Sequence, residues 1–231
     1  MFLLGVVGLL GCAAQRGDRD AALHRAAHQT RELERRFGVV TDRGANVYLA
    51  GLVSRLTESY PQRFAGRSPP SVIILNAIEP IAVSPGNGKV LLSRGLIFQL
   101  SNEAELAFIL AHELGHTALG HLPPDGVAPE ERRALEIGAD SFGVGLMALA
   151  GYDPRPAVQA LAHLHRTTSG WTTDPSYPDF TNRLATLQTA IYSSGWQPPG
   201  TIDRRDFHKL QTVLCAHAPR APGSACGRQP R

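Results

Sequence analysis

The sequence lacks the features of a nucleic-acid-binding, disulfide-rich or repeat protein. Its 231 residues include only three cysteines, which are too few to define a disulfide framework. The formal net charge is only +3, and the Lys and Arg residues are scattered, which argues against a nucleic-acid partner. No internal repeat is visible. What the chain does have is 43% hydrophobic residues, enough to bury the core of one main domain with short extensions.

The N-terminal residues have the pattern of an export signal. The apolar run 1–11 is too short to cross a bilayer as a helix, and it ends in Leu9-Leu10-Gly11-Cys12 before the chain turns polar. This ending resembles a bacterial lipobox, in which the signal peptide is cut before a cysteine that then carries lipid. We therefore expect residues 1–12 to be a lipoprotein-type signal segment and Cys12 to anchor the protein to a membrane. The alternative is a buried segment with an incidental cysteine.

The other two cysteines, Cys215 and Cys226, lie close together near the C-terminus. An exported protein enters an oxidising compartment, so a disulfide between them is expected. The alternative is a pair of free thiols, because two cysteines fix no pattern.

Apolar periodicity predicts a mostly helical α+β fold. Helical spacing predicts two helices within residues 13–60. Three short apolar runs predict strands at 71–75, 81–83 and 89–93, the last two forming a hairpin. Asn102 and Glu105 have the spacing of a capping box and begin a central helix that is predicted to end at Leu119. Later helices are predicted at 129–150, 156–166 and 180–192, with a short helical piece within 201–231.

The central predicted helix carries a metal-binding motif. His112-Glu113-Leu114-Gly115-His116 fits the His-Glu-x-x-His pattern of zinc hydrolases. Residues four apart lie one turn apart on the same helix face, so both imidazoles can bind one ion. Glu113 then points toward the water on the ion and can act as general base. The alternative of two core histidines would bury the Glu113 carboxylate without purpose.

A catalytic zinc ion needs a third protein ligand, and the residues just after the motif do not supply it. Leu119 and Leu122 stand where a metzincin has Gly and His, which excludes that class. His121 lies five residues from His116 and is out of phase with the ligand face. We interpret His121 as a histidine at the helix C-terminus, where the helix dipole favours it.

The next predicted helix supplies a better third ligand. Glu136 lies in Glu136-Ile137-Gly138-Ala139-Asp140, where Gly138 and Ala139 are small enough for this helix to approach the central one. Asp140, one turn later, can accept a hydrogen bond from the outer nitrogen of a liganding histidine. The alternative for both acidic residues is a solvated helix face.

Five motifs together resemble a known family. They are Ser93-Arg94-Gly95-Leu96, Asn102-Glu103-Ala104-Glu105-Leu106-Ala107, the segment from Leu110 to His121, the segment from Glu136 to Asp140, and Gly151-Tyr152-Asp153-Pro154. Over about residues 37–187 the chain resembles the HtpX-like and CAAX-prenyl-protease-like gluzincin zinc metallopeptidases. It is most similar to their small periplasmic lipoprotein members, which act in outer-membrane protein quality control.

The resemblance implies a minigluzincin-like core at 61–200, with a sheet of about three strands packed on the active-site helix, and a C-terminal extension at 201–231. It implies one Zn²⁺ ion held by His112, His116 and Glu136, with Glu113 as base and Asp140 and Arg183 behind the ligands. It also implies a lipid-anchored protein of the bacterial periplasm, at the outer membrane. Finally, it implies an edge strand that binds an extended polypeptide by strand addition, formed by Lys89, Val90, Leu91, Leu92 and Ser93.

The chain departs from the family at two places. Pro80-Ile81-Ala82-Val83 replaces an Asn-Ala-Phe-Ala-like strand, and Tyr177-Pro178 replaces a His-Pro pair six residues before Arg183. A tyrosine hydroxyl is a hydrogen-bond donor of similar reach to histidine, so our hypothesis is that Tyr177 donates to the transition-state oxyanion. The alternative is an aromatic residue packed in a loop.

The predicted function is a zinc-dependent endopeptidase that cleaves unfolded or misassembled envelope proteins. The second hypothesis is a lipoprotein chaperone or assembly factor with a latent or structural zinc site. Structural zinc normally has four protein ligands, and the sequence offers no obvious fourth one. A zinc hydrolase acting on another bond is the third, because the motif does not name the substrate.

Overall fold

Nine helices and three strands form the part of the chain that the structure describes. The computed structural model describes the backbone of residues 7–121, 128–168, 180–201, 203 and 205–217, and the side chains in these ranges except at 7–19 and 166–168. The elements are α1 Val7–Phe37, α2 Arg43–Ser59, α3 Pro61–Phe64, β1 Ser71–Leu75, β2 Ala82–Val83, β3 Lys89–Ser93, α4 Arg94–Ile97, α5 Glu103–Leu119, α6 Pro129–Leu149, α7 Ala157–Thr168, α8 Phe180–Ser193 and α9 Arg205–Ala216. The predicted mostly helical α+β fold is confirmed.

The helix starts follow from residues that the sequence shows. The Asp42 side chain accepts a hydrogen bond from the Ala45 backbone N–H at 2.9 Å and thereby caps α2. At the start of α5, the Asn102 side chain accepts from the Glu105 N–H at 3.0 Å. The Glu105 carboxylate accepts in return from the Asn102 amide at 3.0 Å. The other Glu105 oxygen accepts from the Ser101 backbone N–H at 3.0 Å. The predicted pair therefore caps the start of the central helix, but Glu105 bonds the Asn102 side chain and the Ser101 backbone, whereas in a capping box it would bond the Asn102 backbone N–H.

The sheet has the order β1-β3-β2, with β1 parallel to β3 and β2 antiparallel to β3. The predicted hairpin is confirmed, since Ala82 pairs with Leu92 and Val83 pairs with Leu91. The predicted edge strand at Lys89–Ser93 is wrong, because β3 is the central strand and has a neighbour on each side. Its run Val90-Leu91-Leu92 is fully buried, as expected of a strand that is covered on both faces.

The edge next to the central helix is β2, not β3. It is only two residues long, and Pro80 precedes it while Pro85 follows it. Short strands and flanking prolines are typical of sheet edges, since proline cannot donate to a ladder. Among the described strands none pairs with the other side of β2, and this strand contacts α5.

A buried carboxylate joins three parts of the helical layer. Glu103, in the first turn of α5, accepts a hydrogen bond from the Tyr152 hydroxyl at 2.6 Å and another from the Tyr48 hydroxyl of α2. Arg55 of α2 lies 3.2 Å from the same carboxylate and donates to the Tyr152 hydroxyl at 2.8 Å. This network fixes α2 and the turn after α6 against the start of the central helix.

Helices α5 and α6 pack side by side with unusually close backbones. A Cβ atom added to Gly143 of α6 would lie 3.1 Å from the backbone nitrogen of His112, and one added to Gly115 would lie 3.2 Å from the Ala139 carbonyl oxygen. Both distances are shorter than ordinary van der Waals contact, so the absence of a Cβ atom at the two glycines lets the helices approach this closely. Helix α8 packs on the other side of α6, and α7 packs against α5. No helix among the described residues combines the length and apolarity needed to cross a membrane.

Candidate metal centre and active site

Helices α5 and α6 bring the three predicted metal ligands together. The Nε2 atoms of His112 and His116 are 3.2 Å apart. The Glu136 carboxylate of α6 faces both rings, with one oxygen 3.5 Å from Nε2 of His112 and the other 3.6 Å from Nε2 of His116. These residues form a cluster of possible ligands for a single ion.

The distances within this cluster fit a tetrahedral metal ion. Ligand atoms about 2.0–2.2 Å from such an ion lie roughly 3.3–3.6 Å from one another. The three observed separations cover 3.2–3.6 Å, and the two that involve Glu136 start at different oxygens of its carboxylate. Two imidazole nitrogens and one carboxylate are also a donor set of catalytic metal sites, which leave the fourth position for water or substrate. The residues present therefore fit a divalent metal ion.

Asp140 and Arg183 lie directly behind the predicted metal ligands. Nδ1 of His112 is 2.9 Å from the fully buried Asp140 carboxylate, so its Nε2 faces the cluster. Arg183 of α8 donates to both Asp140 oxygens at 2.7 Å. Another of its nitrogens lies 3.1 Å from Glu136. One guanidinium thus links a metal ligand and the carboxylate that orients a second ligand.

Glu113 is buried beside the cluster, and the end of β2 lies against it. Only 6% of its surface is exposed, and the backbone N–H of Ser84 is near enough to its carboxylate to favour the ionised form. Burial raises the pKa of Glu113 to about 7, although the nearby His112 opposes this effect. A carboxyl group with a pKa close to neutral can both accept and release a proton, as a general base must.

The other titratable groups of the cluster are perturbed by burial and by one another. Burial lowers the pKa of His116 to about 3, and the neighbouring His112 acts in the same direction. Burial alone would lower the pKa of His112, but the carboxylates of Asp140 and Glu136 raise it to about 10. Burial opposes ionisation of both acids, yet His112 and Arg183 hold the pKa of each carboxyl below its usual value.

His121 contacts a metal ligand, which the sequence analysis did not anticipate. It lies just beyond α5, after Gly120, and its Nδ1 is 3.0 Å from Nδ1 of His116. The two rings meet edge to face with their centroids 5.1 Å apart. Helical phase could not reveal this contact, because the chain leaves the helix at Gly120.

The two small residues Gly138 and Ala139 of α6 face different parts of the chain. Ala139 is fully buried against Gly115 of α5, as expected for the close approach of the two helices. A Cβ atom on Gly138 would instead lie 3.7 Å from Leu119 and 3.8 Å from the His121 ring. The residue that brings α6 closest to His112 is Gly143, which the sequence analysis missed.

Three predicted site residues lie wholly or partly outside the described part of the chain. Tyr177 and Cys226 lie outside the described residues, as does the side chain of Cys12. The oxyanion role of Tyr177, the disulfide between Cys215 and Cys226, and lipidation at Cys12 therefore stay predictions.

Comparison with known proteins agrees with this geometry. Residues 82–123 match the family described as Peptidase family M48. The chain is also similar to the mitochondrial metalloendopeptidase OMA1 of Arabidopsis thaliana, with 31% identity over 37% of this chain and 24% of that protein. The chain thus spans about a quarter of the length of this relative. Both matches are to peptidases, and the family match covers His112, Glu113 and His116.

Proposed function

We propose that this chain is a zinc-dependent endopeptidase of the M48 type. The observation that carries the proposal is the cluster of His112, His116 and Glu136, whose possible ligand atoms lie within 4.8 Å of one another, with the buried Glu113 carboxylate beside it. A bound zinc ion would supply a water of lowered pKa and would polarise the scissile carbonyl. Zinc is proposed over other divalent ions because this donor set is typical of catalytic zinc.

The residues around the cluster have distinct tasks in this reaction. Glu113 takes the proton from the attacking water and passes it to the leaving amine. Asp140 holds His112 with Nε2 toward the cluster, and Arg183 offsets the negative charge of Asp140 and Glu136.

We propose that the substrate is an extended polypeptide that pairs with the outer side of β2. Support comes from the sheet order, because β2 has an unpaired side among the described strands. It also comes from the contact between β2 and α5 and from the Ser84 N–H near Glu113, which together set the end of β2 against the proposed base. Pairing through the backbone requires a segment whose own backbone groups are unpaired, as in an unfolded chain.

We further propose that the protein acts on unfolded or misassembled envelope proteins in the bacterial periplasm, held at the outer membrane by lipid on Cys12. The support is the lipobox-like sequence Leu9-Leu10-Gly11-Cys12 and the resemblance to periplasmic lipoprotein peptidases. Metabolic labelling with a fatty-acid analogue should mark the wild-type protein and leave Cys12→Ala unmarked. Labelling of both would refute the proposed anchor.

The central test combines zinc quantification with digestion of casein. The wild-type protein should hold one zinc ion per chain and cleave casein, and a chelator should stop the cleavage. Glu113→Gln should retain zinc and lose activity by about 10²–10⁴-fold, which is the usual contribution of a general base. The control is Glu58→Gln, an exposed residue on α2 that should leave both measurements unchanged. Full activity in zinc-loaded Glu113→Gln would refute the mechanism, and casein protection without cleavage would favour the chaperone hypothesis.

A further inference from the structure

The outer nitrogens of the two predicted histidine ligands face different kinds of partner. Nδ1 of His112 faces the Asp140 carboxylate at 2.9 Å. Nδ1 of His116 instead faces Nδ1 of His121 at 3.0 Å. In most metal sites the outer nitrogen of a liganding histidine meets a carboxylate, a backbone carbonyl or water. A second histidine is therefore an uncommon partner for the outer nitrogen of a metal-binding histidine.

The tautomers of this histidine pair follow from its geometry. Nε2 of His116 faces Glu136 and His112, so a metal ligand at this atom needs its lone pair. The ring proton of neutral His116 must then be on Nδ1. It is donated to Nδ1 of His121, which acts as the acceptor and carries its own proton on Nε2. The pair thus orients His116 without placing a further charge at the site.

The end of α5 explains why His121 reaches this position. Gly120 has φ 76°, in the left-handed region that favours glycine. Its backbone N–H donates to the Thr117 carbonyl at 3.3 Å, and the His121 N–H donates to the His116 carbonyl at 2.9 Å. These are the two hydrogen bonds of a Schellman motif, in which the side chains of the first and last residues meet. Here the usual hydrophobic contact is replaced by a hydrogen bond between two imidazoles.

Helix α6 limits the other side of the His121 ring. The ring lies 3.8 Å from the position that a Cβ atom of Gly138 would occupy, so it fits against the helix backbone. The same helix supplies Glu136, two residues earlier. His121 is therefore confined between the end of α5 and the α6 segment that carries the third ligand.

We propose that His121 is a positioning residue for the metal ligand His116, fixing its ring orientation and its tautomer through the Nδ1 to Nδ1 hydrogen bond. This inference rests on the proposed zinc site, but it concerns metal affinity and not the substrate. Partners of this kind contribute about 10–100-fold to metal affinity.

The test measures zinc dissociation constants by competition with a fluorescent chelator. His121→Phe keeps an aromatic ring and removes the acceptor, so zinc binding should weaken about 10–100-fold. His121→Asn offers an amide oxygen as acceptor and should restore part of the loss. His24→Phe, on the exposed face of α1, is the matched control and should bind zinc like the wild type. Circular dichroism of the metal-free variants checks that each one is folded.

Two results would overturn the proposal. One is wild-type zinc affinity in folded His121→Phe, and the other is an equal loss in the Phe and Asn variants, which would show a packing effect alone. A wild-type protein that binds no zinc would overturn both this inference and the proposed function. Zinc binding without casein cleavage would refute the peptidase alone and leave the role of His121 to be decided by the variants.

Discussion

Replacing Gly143 by alanine should push two helices apart at the metal site. The added Cβ atom would lie 3.1 Å from the His112 backbone nitrogen and 3.3 Å from the Ala111 carbonyl carbon. Both are backbone atoms inside α5, so neither can move aside alone. Helix α6 must therefore shift by a few tenths of an ångström. Gly145, on the same helix, is the control because a Cβ atom there would meet no atom within 4 Å.

We expect the two substitutions to change the free energy of unfolding in opposite directions. Alanine in place of a helical glycine gains about 0.5–1 kcal/mol from backbone entropy. Gly145→Ala should show only this gain, so its Tm should rise by about 1–4 °C for a chain of this size. Gly143→Ala adds an overpacking cost of about 1–3 kcal/mol. Because the entropy term is common to both variants, the difference in their unfolding free energies measures the overpacking cost directly.

Thermal unfolding followed by circular dichroism in the presence of a chelator gives this difference. Zinc competition should show a second effect, since a shift of α6 moves Glu136 away from His112 and His116. Gly143→Ala should therefore bind zinc more weakly, while Gly145→Ala should bind it like the wild type. Equal stabilisation of the two variants, with equal zinc affinity, would refute the inference that close backbone contact sets the geometry of the site.

Other variants test single contacts. Asp140→Asn should weaken zinc binding about 10–100-fold in chelator competition, because the carboxylate that orients His112 is lost; unchanged affinity would contradict this role. Glu103→Gln should lower the unfolding free energy in urea by about 1–3 kcal/mol, since a buried hydrogen-bonded charge is removed. The exposed Glu58→Gln should not, and equal stability of the two variants would argue against the network. Gly120→Ala should cost about 1–2 kcal/mol from its left-handed backbone, and a neutral effect in the same urea experiment would exclude that strain.

Local sequence rules predicted the parts of the site that lie within one helix. The spacing of His112 and His116 fixes their common face, and the capping residues Asn102 and Glu105 fix the start of α5. Helical spacing gave the wrong expectation for His121, because it applies only to residues inside the helix and the chain leaves α5 at Gly120. Gly120 was the available signal. A Schellman motif brings the residue just after its glycine, here His121, into contact with the residue four before the glycine, here His116.

Strand order was harder to predict than the strands themselves. Alternation and β-branched residues indicate a strand, but pairing depends on which surfaces the rest of the chain covers. The run Val90-Leu91-Leu92 did carry a signal, because consecutive apolar residues are typical of a strand that is buried on both faces. The prolines at 80 and 85 marked β2 as the edge. The family resemblance implied that β3 is the edge strand, and this prediction was wrong.

Arg183 makes the site depend on a helix far along the chain. The family match ends at residue 123, whereas this guanidinium neutralises two acids that lie beyond it. Without α8, the buried carboxylates of Glu136 and Asp140 would lie close together and would lose the guanidinium that contacts both of them. Metal affinity and docking of α8 are therefore thermodynamically linked, and each must stabilise the other by the same free energy. A fragment that ended at residue 123 would keep the two histidines of the motif and lose Glu136, Asp140 and Arg183 together.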